Sequence, residues 1–177
     1  MAYDFNTTEG QTIARQLLIA YLNTGTSTTP VWSPIGKRVE DSTAEYDWQS
    51  ETRKDILGDT YGSMKKPTVT QSFDPYELDS GDAAIKKIWE AAIRDQDVGA
   101  LSNMDVLCVH FYVSDSTTTT NFWAERYPSS MIEATGIGGE GGGNLGMPIN
   151  ITYGGTRVVG YATKASSTGA ISFTAAT

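Results

Sequence analysis

Helical spacing of apolar residues is nearly absent from this chain, so the bulk of it should be sheet, and at 43–51 and at Ile149, Ile151 and Tyr153 the pattern is the period of two of a half-buried β-strand. Strands are predicted over 30–38, 43–51, 67–73, 104–113, 122–127, 131–136, 148–153, 156–163 and 170–175, each enriched in β-branched or aromatic residues. The segment "QTIARQLLIAYLN" allows a helix through its Leu and Ala, but the polar "TGTSTTP" and the strand that follow favour the first arm of a hairpin. One segment is the exception. In "DSGDAAIKKIWEAAIRDQD" the residues Ile85, Ile88, Trp89, Ala92 and Ile93 recur at helical spacing, with Lys86, Lys87, Glu90 and Arg94 on the other side. A helix is predicted over about 80–97, with Asp79 or Ser80 as N-cap and Asp82 as an acid in its first turn. The chain therefore reads as mainly β with a single helix.

Within the strand predicted at 43–51, Thr43, Glu45, Asp47, Gln49 and Glu51 fall on one face and Ala44, Tyr46, Trp48 and Ser50 on the other. One side is apolar or aromatic, and the other is a row of acids. Taken alone, such a row is an ordinary solvated face. The next segment, "TRKDILGDTYGSMKK", reads as a long inter-strand loop over about 52–66 that carries Ile56, Leu57, Tyr61 and Met64 among polar neighbours.

Composition narrows the function classes. At 177 residues the chain suits one domain able to bury a proper core. Its 13 basic and 21 acidic side chains give a net charge of -8, which argues against a basic nucleic-acid-binding surface. A single cysteine, Cys108, rules out an intramolecular disulfide and suits folding in a reducing compartment. The longest apolar run, "LLIAYL", is too short for a membrane span and lacks a signal peptide's charged start, so a soluble chain with no membrane partner is expected.

Catalytic chemistry finds little to work with. Cys108 and the lone histidine, His110, share one strand face, but no third group orients a base, and two such groups fall short of a zinc site's usual ligand set. Asp74, Glu77, Asp79 and Asp82 lack the order of a calcium loop and suit turns and helix caps. The spacing Gly136-x-Gly138-x-x-Gly141 is that of a dinucleotide fingerprint, yet strands follow it where a helix is needed, and no acid stands where the ribose would be bound. These glycines read as a tightly turned inter-strand loop. No enzyme, cofactor or metal is expected. Trp32, Trp48, Trp89 and Trp123 raise a carbohydrate- or receptor-binding β-sandwich as the alternative, although core or interface use suits them better.

The long collinear stretch "PVWSPIGKRVEDSTAEYDWQSETRKDILGDTYGSMKKPTVTQSFDPYELDSGD", continued in "GGEGGGNLGMPINITYGG", resembles the major tail tube proteins of long, non-contractile-tailed bacteriophages. The features in common are the Trp-x-x-x-Gly-Lys strand, the "ETRKDILG" turn, the single helix and the Gly-rich loop, in that order. The resemblance implies a single tail tube domain over 1–177, a β-sandwich or barrel-like domain with one flanking helix and an N-terminal arm over about 1–29. It implies hexameric rings in which each subunit lends strands to a shared, closed inner barrel, and rings that stack into a tube. Other tail proteins such as the tape measure and tail terminator are the implied partners, and the virion is the implied location, after assembly in the host cytoplasm. DNA would pass down the bore without sequence-specific binding.

On that reading Glu45, Asp47, Gln49 and Glu51, and with them Glu133, Thr135, Asn150 and Thr152, are expected to face the lumen. Phosphates sliding past carboxylates find nothing to grip, whereas lysines would hold them through counterion release. Ile56, Leu57, Tyr61 and Met64 are expected to reach a neighbouring ring.

Overall fold

A computed structural model describes residues 2–176. In chain order the strands are β1 (Tyr3–Phe5), β2 (Leu18–Asn23), β3 (Trp32–Pro34), β4 (Ala44–Asp47), β5 (Glu51–Lys54), β6 (Thr60–Ser63) and β7 (Thr68–Phe73). After the helical segment α1 (Ala83–Trp89) and the short α2 (Val98–Leu101) come β8 (Met104–Asp115), β9 (Phe122–Ala134), β10 (Ile149–Tyr153), β11 (Val158–Lys164) and β12 (Ile171–Ala175). The molecule is mainly β, antiparallel, with one principal helix against it, as the sequence pattern predicts.

Two sheets share β9. Its first half pairs with β8 on one side and β11 on the other; its second half pairs with β10. The larger sheet runs β3-β2-β8-β9-β11-β12, with β1 lying along the far end of β8. The smaller sheet runs β9-β10-β7-β4.

Two strands predicted at 122–127 and 131–136 are therefore one, Phe122–Ala134, although Pro128 lies inside it. A proline cannot donate to a ladder. It is tolerated because it falls where the register with β8 shifts, between Tyr127 and Ser130, and is paired with no residue of β8. The β10–β11 turn packs onto this bend so closely that a Cβ on Gly154 would lie 2.4 Å from the Ser129 carbonyl oxygen.

The main core lies between the sheets and the helix. Val69, Phe73, Ile132, Ile149 and Ile151 from the smaller sheet meet Ala20, Leu22 and Val106 from the larger, and Ala84, Ile85 and Ile88 of α1 close one end. A second cluster, Tyr21, Trp32, Leu107, Val109, Ala124, Ala162 and Ile171, lies on the other face of the larger sheet. Apolar cover on both faces explains why β8 reads as a nearly unbroken hydrophobic run.

Four sequence expectations need correction. The helix is shorter than 80–97, and its N-cap is Asp82, whose carboxylate accepts from the backbone N–H of Ala84 and Ile85. Asp79 instead shapes the preceding turn, accepting from Gly81 N at 2.9 Å. Beyond Trp89 the helix widens into a π turn over Glu90–Arg94, which shifts the phase of the apolar stripe and leaves Ile93 38% exposed.

The strand expected at 43–51 ends at Asp47, because Gln49 adopts φ +45 and turns the chain out of the sheet. The strand expected at 30–38 is confined to Trp32–Pro34, since Gly36 and Arg38 both take positive φ. Residues 52–66 do not form an open loop: β5 and β6 pair as an isolated hairpin. The Asp55 carboxylate fixes its turn by accepting from Leu57 N and Asp59 N at 2.9 Å.

Residues 11–23 fold as a short 3-10 turn and then β2, which pairs with β3 as the expected hairpin. The region read as an N-terminal arm thus contributes Ala20 and Leu22 to the core.

Candidate functional site

The smaller sheet has two unlike faces. Toward the core it presents Val69, Gln71 and Phe73 from β7, Ile149, Ile151 and Tyr153 from β10, and Ile132 from β9, all buried. The alternate residues point the other way. They are Glu45 and Asp47 on β4, Thr68, Thr70 and Ser72 on β7, Asn150 and Thr152 on β10, and Met131 and Glu133 on β9.

The register aligns them in rows: Glu45 beside Thr70, Thr70 beside Thr152, and Ser72 beside Asn150 beside Glu133. Together they line a shallow concavity of about 340 Å³ that Thr43 completes. Its acids are Glu45 and Glu133, with Asp47 at one end, and none of the residues in these rows is basic.

Six of the eight residues expected on a lumen wall lie in or beside this surface: Glu45, Asp47, Glu133, Asn150, Thr152 and Thr135. Thr135 follows β9 directly, and its hydroxyl donates to the Pro148 carbonyl at 3.2 Å. Gln49 and Glu51 are elsewhere. Gln49 sits in the turn at positive φ, and Glu51 opens the separate β5–β6 hairpin, paired with Arg53 at 3.2 Å. Both are corrections to the sequence reading. Thr68, Thr70 and Ser72 are additions to it, although the alternation in "PTVTQSF" carries their signal.

Both margins of this sheet are open. β4 pairs only with β7, and the second half of β9 pairs only with β10, so among the described residues no strand lies beyond either. Along the order β9-β10-β7-β4 every neighbour is antiparallel, so the two marginal strands run in opposite directions.

Behind the sheet, a buried polar chain braces its own strands, and a second polar group lies on the larger sheet. Tyr153 donates through its hydroxyl to Gln71 Oε1, Gln71 Nε2 donates to Ser42 Oγ at 2.9 Å, and Ser42 Oγ donates to the Ser72 carbonyl at 2.7 Å. Glu125 accepts from Tyr127 Oη at 2.6 Å and from Arg157 at 2.5 Å. Burial of this kind is tolerable because each group has a partner. Burial also pushes the Cys108 thiol up to about 12 and lowers His110 to about 4. Neither has the character of a nucleophile or base poised near neutrality. Among the described residues, no group of three or more His, Cys, Asp or Glu is placed to hold a metal ion. No helix of the described residues is long and apolar enough to cross a membrane.

The Gly-rich segment folds as a closed loop, with Gly138 and Gly146 exchanging backbone hydrogen bonds at 3.0 and 2.7 Å. Its Asn144 Nδ2 donates to Glu77 at 2.9 Å, and β10 follows it in place of any helix. The tryptophans do not assemble into one platform. Trp32 is 7% exposed, and Trp89 packs against the core. Only Trp48 and Trp123, with Tyr46, line a common groove of about 700 Å³.

No protein-family model matches the chain, and no curated protein sequence matches it. Solved structures of similar fold do exist. A sheath/tube terminator of an extracellular contractile injection system, PVC, in its extended state superposes with a TM-score of 0.52 at 7% identity, over 86% of this chain and 99% of that one. The sheath–tube complex of the same kind of system gives 0.49 at 7% identity, over 86% and 94%. The tube-terminating cap of the anti-feeding prophage gives 0.48 at 10% identity, over 89% and 96%. At such identity, what the first shares with this chain is the fold.

Proposed function

We propose that this chain is a non-enzymatic structural subunit of a phage-tail-like tube, and that its smaller sheet walls the bore. The observation that carries this reading is the sheet itself: four antiparallel strands, both margins open, and an outer face of hydroxyls, amides and acids.

An even number of alternating strands repeats around a rotation axis without breaking the alternation. β4 of one copy then meets the second half of β9 of the next in antiparallel sense, and closure removes both open edges. Barrels of roughly 16–18 strands already leave an aqueous channel, so several copies of four strands enclose a wide one. Glu45, Asp47 and Glu133 would line it. An exposed charge acts over about 8 Å at physiological salt, so rings repeated along a tube would make the repulsion of phosphate continuous.

The finer assignments belong to this proposal too. They are a hexameric ring, membership of the non-contractile phage tube family, passage of DNA without specific binding, contact with tape measure and terminator proteins, and a place in the virion. Support for a tail-associated role comes from the fold shared with the contractile-system terminator. That same likeness favours a second reading, in which a single ring of this chain ends a tube built of another protein.

Electron microscopy of the purified chain tests both. Rings that stack without limit support the tube subunit. Rings that stay single support the terminator, and a permanent monomer at every concentration and salt overturns both.

A further inference from the structure

We propose that the apolar groove beneath β2 and β3 is a socket for the tip of the β5–β6 hairpin of a second copy of this chain. The proposal rests on the tube reading and assigns the surface through which successive rings engage.

The plug is unsupported in one copy. Ile56 and Leu57 at the hairpin tip are 102% and 82% exposed, and β5 and β6 pair with no other strand. An isolated two-stranded hairpin is marginal in water, and exposed apolar pairs of this kind mark contact sites. The tip nevertheless has a defined shape, because Asp55 fixes its turn. Its second acid, Asp59, makes no ion pair among the described residues.

The socket has about 600 Å³ of space, walled by Leu18, Ile19, Pro34, Ile35, Val39 and Phe73. That volume lies within the roughly 300–1,000 Å³ range of binding pockets. Two cations stand at its rim, Arg15 and Lys37. Arg15 donates to the carbonyls of Ser42 and Leu18, and Lys37 to that of Gly81, and neither has a carboxylate within ion-pair distance among the described residues. Glu40 is the one acid on the same rim. An apolar pair flanked by acids thus faces an apolar groove rimmed by cations with no carboxylate of their own.

Position completes the match. The hairpin leaves the β4–β7 pair beyond Asp47 and Thr68, whereas the groove takes its wall from Ser42 and Phe73 at the opposite end of the same pair. A plug at one end and a socket at the other make a head-to-tail contact that does not close on itself, so copies add without limit along the strands. The open sheet margins are left free for sideways pairing.

A chain carrying Leu57→Cys and Val39→Cys tests the contact by mild oxidation and non-reducing electrophoresis, with Leu57→Cys and Thr120→Cys as the control pair. Cys108 competes little, being partly buried with its thiol pushed up to about 12. The expected result is conversion of most of the double variant into a ladder longer than a dimer, which the control lacks. No ladder beyond the control overturns the proposal. Should the groove substitution unfold the chain, charge exchange decides the matter: Asp59→Lys is expected to abolish stacking of rings, and added Lys37→Glu to restore it, whereas failure of that rescue overturns the socket. A ladder without rings retains the socket and removes the ring reading, while rings without a ladder do the reverse.

Discussion

Asn150 stands directly opposite Glu133 in the β9–β10 ladder and directly opposite Ser72 in the β10–β7 ladder, so it occupies the middle of a polar row crossing the smaller sheet. Two residues more than 60 positions from Ser72 in sequence are thereby brought to the same face as Glu45.

Reversing the acids of that face tests what it is for. The variant Glu45→Lys, Asp47→Lys, Glu133→Lys is expected to fold with little change, since exposed substitutions typically shift stability by about 0.5 kcal/mol or less. Its assemblies are expected to form yet retain DNA in their bore, a retention that weakens as salt rises. DNA retention equal to that of the unaltered chain would remove the bore assignment.

Asp82 joins two jobs. Its carboxylate caps α1 through Ala84 N and Ile85 N and accepts from the fully buried Tyr76 hydroxyl at 2.9 Å. Asp82→Ala loses a cap worth about 0.5–2 kcal/mol and strands a buried hydroxyl at about 1–3 kcal/mol, so a loss of roughly 2–4 kcal/mol is expected in urea titration. Asp82→Asn is expected to keep most of that. A loss for Asp82→Ala no greater than for an exposed site would show that neither bond stabilises the fold.

His110 sets a pH dependence whose sign follows from its surroundings. Burial lowers its folded value to about 4, with Glu125 opposing that shift and Arg157 adding to it. The ring lies against Trp123, and its Nδ1 is 2.7 Å from the Tyr112 hydroxyl. The unfolded chain takes up this proton near pH 6.5, so the neutral ring's contribution is complete above that pH and is lost as pH falls toward about 4. The slope is about 1.4 kcal/mol per pH unit, roughly 3 kcal/mol in all. His110→Phe is expected to flatten the fall in melting temperature across this window. An unchanged slope would assign the acid sensitivity to other groups.

The elements most legible in the sequence are those whose neighbours lie on one side only. In "PTVTQSF" and "PINITY" one face meets core and the other water, so the period of two marks both strand and facing. The acids at 43–51 continue that period past the point where the chain leaves the sheet, because a single positive φ at Gln49 does not disturb the pattern of residue types. Pro128 misleads in the opposite direction: it looks like the end of a strand, yet a shift in register lets one strand run through it. Which strand neighbours which, and that β4 and β9 end the sheet, depends on pairings such as Ile149 with Phe73 and Tyr153 with Val69, between residues far apart in the chain, and no local pattern carries that information.

The central claim is that the smaller sheet is unfinished in one copy and is completed by its sisters. Cryo-electron microscopy of the assembled protein tests it most directly, at a resolution that separates strands. The account predicts closed rings in which β4 of one copy pairs with the second half of β9 of the next, with Glu45 and Glu133 facing the bore. Rings held together through other surfaces, with both sheet margins still open and the acids on the outside, would contradict it.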